Sequence, residues 1–223
     1  MAGLAELEEA LGHVFDNPAL AQEALTHSSA GKPNNERLEF LGDAVLGLMV
    51  AEAVSMAFPG QPEGVLSRLR AHVVNNGSLA AAAGRIGLQR HIRLGPGEGT
   101  VAGGVRPSIM AGALEALFGA VFADSSWTKV RVVISRVLRT ELDALQTGQV
   151  DPQALKDPKS RLQEWLQRRG EALPVYRILN QQESCTVCCQ VRDSLEFVGH
   201  GRNRKAAEQA AAEAALLMLE RGR

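Results

Sequence analysis

The sequence predicts a multidomain chain: an all-α domain followed by a small α+β domain with the order α-β-β-β-α. Three observations carry this. Up to about residue 145 the chain reads as helices separated by Pro, Gly and Asn stops. The stretch QTGQVDP (146–152) is polar and carries both Gly and Pro, as a linker does. Beyond it the rhythm changes to short strands flanked by two helices. A length of 223 residues leaves room for one medium and one small domain. The expected boundaries are 1–148 for the first domain, 149–156 for the linker and 157–223 for the second.

Within the first domain, Asn17-Pro18 supplies a cap and a first-turn proline that open ALAQEALTHSS. A longer helix is expected from about Asn35 to Phe58, stopped by Pro59-Gly60. Another covers Leu66 to Val74 and breaks at Asn76-Gly77, with Ser78 expected to cap the alanine-rich turns that follow. GPGEGTVAGGVRPS (95–108) holds five glycines and two prolines and is expected to form no element. Ser108 should start the helix IMAGALEALFGAVFA, and Ser126 a single helix through WTKVRVVISRVLRTELDAL. In the second domain Asp157-Pro158 caps KSRLQEWLQRR, which Gly170 closes. Leu173 to Asn180, Ser184 to Arg192 and Leu195 to His200 read as strands joined by Gln181-Gln182-Glu183 and Asp193-Ser194. Asn203 then caps a helix to about Arg221. Such a unit is a small sheet with two helices on one face.

Composition is that of a soluble globular protein, 45% apolar and 22% charged. No window reaches ~20 uninterrupted apolar residues, and MAGLAELEEA is acidic rather than signal-like. No membrane partner and a cytoplasmic address are therefore expected. Cys185, Cys188 and Cys189 crowd into a strand-like run with no second ligand pair, so small buried thiols are expected rather than zinc or disulfides. The net charge of −1 argues against a uniformly basic nucleic-acid binder. Its distribution is uneven: eleven Lys/Arg face nine Asp/Glu from Asp157 onward, against thirteen and sixteen before it.

The segment NERLEFLGDAVLGL (35–48) is anomalous. Glu36, Glu39 and Asp43 fall within a helical arc of roughly 60°, yet Leu38, Phe40, Leu41, Val45, Leu46 and Leu48 crowd that arc. A solvated stripe would need more polar circumference. Arg37 points well away. A second helix repeats the anomaly, because Glu115 is the one ionisable group between Ile109 and Ala123. Buried carboxylates cost several kcal/mol each unless cations or hydrogen bonds compensate. Pairing of Glu115 with a buried arginine is one solution; a shared pocket for hard divalent cations is the other. Oxygen donors without His or Cys suit Mg²⁺ or Mn²⁺. A di-iron bundle needs Glu-x-x-His, and Gly42 and Phe118 occupy those positions. Acid-rich Mg²⁺ sites serve chemistry on phosphates, and no organic cofactor is called for.

A basic cluster lies in GHGRNRKAAEQAA (199–211). Arg202, Arg204 and Lys205 gather at a helix start, where N–H groups and the helix dipole already favour anions. On the first helix of the same unit, Ser160, Gln163, Glu164 and Gln167 form a polar face suited to ribose hydroxyls in the shallow groove of A-form RNA.

With these residues in view, NERLEFLGDAVLGL resembles the signature helix of ribonuclease III. LGHVFDNPALAQEALTHSS, PEGVLSRLRAHVVNNGSLA and RPSIMAGALEALFGAVFAD resemble the rest of that nuclease domain. KSRLQEWLQRRG, LPVYRI and GHGRNRKAAEQAAAEAALLML resemble a double-stranded RNA-binding domain. The resemblance implies a homodimeric endonuclease that cuts both strands of double-stranded RNA, leaving 5′-phosphates and two-nucleotide 3′ overhangs. It implies that Glu39, Asp43 and Glu115 bind metal, with Asp43 and Glu115 catalytic. It places Glu36 and Glu63 as RNA-handling acids of the same valley, and Phe40 as an aromatic that packs across the dimer. Ribosomal precursors and other structured transcripts are the implied substrates.

Three departures stand out. The family places an aspartate three residues before the second-helix glutamate, where this chain has Gly112 at a helix cost of roughly 1 kcal/mol against alanine, with no packing reason visible in the sequence. Val65 replaces a common acid. The loop NQQES (180–184) lacks a histidine that the family often inserts into a minor groove. Gly112 motivates an alternative expectation, a double-stranded RNA-binding dimer with weakened or lost chemistry.

Overall fold

A computed structural model describes residues 2–98, 100–101, 104–152, 154–182, 184–192 and 194–221. They divide into two units, Met1–Val150 and Asp151–Arg223.

Helix α1 spans Ala2–Leu11 and α2 Pro18–Ala24, with Asn17 Oδ1 accepting from the Ala19 amide at 3.2 Å. The THSS segment leaves that helix and forms a 3-10 turn, Ser28–Ala30, capped by His27. Next come α3 (Glu36–Ala57), α4 (Glu63–Val73) and α5 (Asn76–Arg85). The cap of α5 is Asn75 rather than Ser78: Asn75 Oδ1 accepts from the Ser78 amide at 3.0 Å. Both residues have capping side chains, and the extended backbone of Asn75 (ψ 157°) decides between them.

The glycine-rich segment, expected to be featureless, contains a small hairpin. Strand β1 (Thr100–Val101) pairs antiparallel with β2 (Gly104–Val105). β-Branched residues favour the extended backbone, and Gly104 adopts φ +135°, which a side chain would resist. The intervening Ala102 and Gly103 lie outside the described residues. Helix α6 (Pro107–Asp124) starts one residue before Ser108, with proline in its first turn. The single helix expected after Ser126 is two, α7 (Trp127–Val137) and α8 (Arg139–Gln146). The chain turns between them at Leu138, a fully buried residue, with no Gly or Pro to mark the bend.

Helix α6 is the centre of the first unit and packs against α2, α3, α5 and α7. Every residue from Ile109 to Val121 is buried except Glu115. By length and composition α3 and α6 would each suit a bilayer crossing; in α6 that apolarity serves the core. The approach of α3 to α6 is unusually close. A Cβ added at Gly42 would lie 1.7 Å from the Glu115 carbonyl oxygen, and one added at Gly119 would lie 2.1 Å from that of Leu38. The helices therefore meet backbone to backbone, and any side chain at either glycine would drive them apart.

In the second unit α9 spans Pro158–Gln167, with Asp157 Oδ1 accepting from the Ser160 amide at 3.1 Å. Strands β3 (Val175–Gln181), β4 (Cys185–Val191) and β5 (Leu195–Gly201) form an antiparallel sheet in that order. Glu183 and Asp193, in the two joining turns, lie outside the described residues. Helix α10 (Arg204–Arg221) packs on β4, β5 and α9. Its alanines let it lie directly on the strand, where a Cβ at Gly199 would come within 2.2 Å of the Ala211 nitrogen. Cys185, Cys188 and Cys189 are free and buried.

Candidate active site and nucleic-acid interface

Helical periodicity aims Glu36, Glu39 and Asp43 from one face of α3. The glycine contact then fixes what they face. Gly42 adjoins Asp43, and the backbone it touches is that of Glu115 itself. Glu36, Glu39, Asp43, Glu115 and Phe40 consequently line one cleft of about 300 Å³. Glu63 is not among them. It lines a separate pocket with Ser55 and Arg70 and accepts from Ser67 Oγ at 2.6 Å.

The alternative of a buried arginine partner for Glu115 is not what the fold provides. Among the described residues no lysine or arginine pairs with Glu39, Asp43 or Glu115. Burial pushes the Glu115 carboxyl up to about 7, and the charges of Asp43 and Glu39 push the same way. Burial also raises Glu39; His27 opposes this, while Glu36 and Asp43 add to it. His27 Nδ1 lies 2.8 Å from Ser29 Oγ, which steadies the imidazole in the 3-10 turn.

Among the described residues no group of three or more His, Cys, Asp or Glu is gathered tightly enough to hold a metal ion as it stands. The acids surround a space instead of a point. Their chemistry fits a hard divalent cation all the same: the donors are carboxyl oxygens without a lysine or arginine partner among the described residues. A cation in the cleft would offset the repulsion and desolvation that raise Glu39 and Glu115.

Phe40, which lines the cleft, is 81% exposed; Leu48 and Met56, further along the same helix, are exposed too. Val65 is buried in the core-facing side of α4, where an acid would lose its hydration. Gly112 is buried one turn before Glu115 and borders the Glu39 carboxylate, a packing neighbour that its sequence context conceals. Sequence reasoning missed the parts played by Gly42, Gly119 and His27. A glycine inside an apolar helix was the available signal for the first two; His27 had none.

The polar face of α9 and the start of α10 come together. Asp157, Lys159, Ser160, Gln163, Lys205, Glu208 and Gln209 line one surface pocket. Gln163 and Gln167 are exposed, as are Arg202 and Lys205. Three expected contact residues of this unit are already engaged, among them Ser160, whose Oγ donates to Asp157 Oδ2 at 2.6 Å. Arg204 Nε donates to Glu208 Oε1 at 2.7 Å, and Lys156 Nζ donates to Glu164 Oε2 at 2.6 Å. Lys159 completes the Glu208 cluster at 2.5 Å, and its hydrogen bond is the main influence holding that carboxyl below the usual range.

Comparison with known proteins accords with this arrangement. Residues 17–142 match the Ribonuclease-III-like family, and 158–219 match the double-stranded RNA binding motif. Ribonuclease 3 of Thiobacillus denitrificans is 48% identical over 224 residues, covering 97% of each chain. That of Dechloromonas aromatica is 46% identical over 215 residues, covering 94% of this chain and 95% of its own. The crystal structure of the nuclease domain of ribonuclease III from Campylobacter jejuni superposes with a TM-score of 0.59 at 39% identity, covering 63% of this chain and 96% of that one. A second structure of that domain, with 39% identity and a TM-score of 0.58, covers 61% of this chain and 96% of its own; it concerns flexibility in a region involved in dimer formation. With both domains matched in order and nearly the whole length shared, the chain belongs to the ribonuclease III family of double-strand-directed endoribonucleases.

Proposed function

We propose that this chain hydrolyses double-stranded RNA with Mg²⁺, Mn²⁺ serving as a substitute, and leaves 5′-phosphates, 3′-hydroxyls and two-nucleotide 3′ overhangs. It acts as a cytoplasmic homodimer on ribosomal precursors and other structured transcripts, with Phe40 packing across the dimer. The observation that supports this best is the cleft itself: acids from two helices, in contact through glycine, with no lysine or arginine pairing Glu39, Asp43 or Glu115 among the described residues. When bound, the cation supplies charge neutralisation at the scissile phosphate and a more acidic attacking water. Glu39, Asp43 and Glu115 would hold it, with Asp43 of α3 and Glu115 of α6 as the catalytic pair. Glu36 and Glu63 handle the RNA. Gln163, Gln167 and Ser160 meet ribose hydroxyls, while Arg202 and Lys205 meet phosphates, with Arg204 and Glu164 contributing through their ion pairs.

A perfect RNA duplex incubated with the protein, with Mg²⁺ or with EDTA, tests the reading. Discrete, Mg²⁺-dependent products with staggered ends are expected. The second reading, an RNA-binding dimer without chemistry, is favoured by Gly112 alone. Retained duplex binding with no cleavage at any Mg²⁺ or Mn²⁺ concentration would establish it instead.

A further inference from the structure

We propose that Glu208 is a positioning residue for duplex RNA: without touching the duplex, it holds Lys159 of α9 in the pocket between α9 and the start of α10, where Lys159 serves as a further phosphate contact. This rests on the RNA-binding role proposed above for the residues around that pocket. The pocket measures about 360 Å³, and Lys159, Ser160, Gln163, Lys205 and Glu208 are among the residues that line it. A carboxylate on such a surface repels phosphates, so its presence calls for a reason. Packing alone does not supply one, because Leu162, Leu166, Ala211, Ala212 and Ala215 already share a buried apolar cluster further along the two helices.

The two oxygens of Glu208 are divided between the helices. Oε2 accepts from Lys159 Nζ at 2.5 Å, and Oε1 accepts from Arg204 Nε at 2.7 Å. The other ion pairs between α9 and α10 among the described residues are looser, Arg161 to Glu213 at 3.7 Å and to Glu220 at 3.9 Å. The tie is therefore tightest where the pocket opens. Lys159 is also held from a second side, its ammonium 4.5 Å from the centre of the Tyr176 ring. A free lysine is costly to order, and two fixed contacts remove that freedom before RNA arrives. An ammonium has three N–H groups. Glu208 accepts from it on one side and the ring covers another, yet the side chain is still 37% exposed and lines the pocket. A donor is thus left for a phosphate. Lys205 reaches the same pocket from the Glu208 face of α10, three residues away.

Equilibrium binding of a perfect RNA duplex to the full-length protein in EDTA provides the test, with melting curves to confirm that each variant is folded at the assay temperature. Glu208→Gln keeps the shape and removes a negative charge. Charge alone predicts tighter binding, and a purely structural role predicts a lower melting temperature with the affinity of the folded protein unchanged. Loss of positioning should instead weaken binding about tenfold near 0.1 M salt. Lys159→Met should weaken it to a similar extent, and the double variant no further than Lys159→Met alone, because Glu208 acts through that lysine. Unchanged or tighter binding in Glu208→Gln, or losses that add in the double variant, would overturn the proposal. Should Glu208→Gln fail to fold, Lys159→Met decides: a slope of log K against log salt lower by about one supports the phosphate contact, and an unchanged slope overturns it. A parent protein that binds no duplex would instead refute the RNA-binding role itself. The two failures are therefore distinguishable.

Discussion

Both units of this chain withdraw carboxylates from water, and they treat them in opposite ways. In the second unit Glu208 is 8% exposed, yet it accepts from Lys159 at 2.5 Å and Arg204 at 2.7 Å, and its carboxyl is held low. Glu164 nearby is held low by Lys156 and Arg168. In the first unit burial pushes Glu39 and Glu115 up and neighbouring carboxylates add to it, with His27 partly opposing it at Glu39. The paired acids help fasten helices and stay charged. The others carry an unmet electrostatic demand, as carboxylates at functional sites commonly do. Burial alone thus says little about an acid's role; the charge of what surrounds it says much more.

Glu115→Gln is the strongest way to break this comparison. It removes a negative donor while keeping shape, so cleavage should fall by about a thousandfold or more, ~4 kcal/mol, with duplex binding retained. A single-turnover assay with saturating protein measures the loss. Cleavage within tenfold of the parent would show that Glu115 is no part of the machinery.

The same residue gives the comparison a pH signature. Between the ordinary carboxylate range and about 7, folded Glu115 keeps a proton that the unfolded chain has released. The folded state binds more protons there, so its stability in EDTA should fall as pH rises through that window and level off above it. Melting curves from pH 5 to 8 measure this, and Glu115→Gln should flatten the slope. Glu208 has the reverse linkage, because its lowered carboxyl stabilises the fold above its unfolded range and loses that contribution as pH falls through the lowered folded value. Glu208→Gln should therefore destabilise the second unit at pH 7 by about 1 kcal/mol, a modest figure because Arg204 is well exposed. A Glu208→Gln protein as stable as its parent would remove the structural half of the contrast.

The two halves of the contrast were unequally legible in the sequence. The unpaired acids broke an apolar helical pattern, so Glu39, Asp43 and Glu115 stood out by periodicity alone. The geometry that joins them did not. Gly42 and Gly119 look like ordinary helix-weakening residues until the partner backbone is seen at 1.7 and 2.1 Å. The pairing of Arg204 with Glu208 follows the i, i+4 rule and is legible in the sequence on that ground, although a basic cluster at a helix start points equally to an anion site. The bend at Leu138 and the hairpin at Thr100–Val105 lack local signals that outweigh their surroundings, since tertiary packing places the first and two short paired runs make the second. Capping chemistry located the starts of α2, α7, α9 and α10 but named Ser78 where Asn75 caps α5.

The smallest expected effect separates the second unit's engaged charges from its open ones. Lys205 is exposed beside the pocket formed by α9 and α10, whereas Arg204 spends its guanidinium on Glu208. A lysine that neutralises one phosphate contributes by counterion release, so its loss should act equally on every duplex sequence. Lys205→Ala should weaken binding about fivefold near 0.1 M salt, ~1 kcal/mol, and lower the slope of log K against log salt by about one. Arg204→Ala should leave a similar salt slope but lower the melting temperature, because it strips a partner from Glu208. Binding isotherms at four salt concentrations, with melts of both variants, measure the two responses. If Arg204→Ala reduces the salt slope as much as Lys205→Ala does, then Arg204 also reaches phosphate, and its ion pair in the free protein is exchanged for RNA on binding.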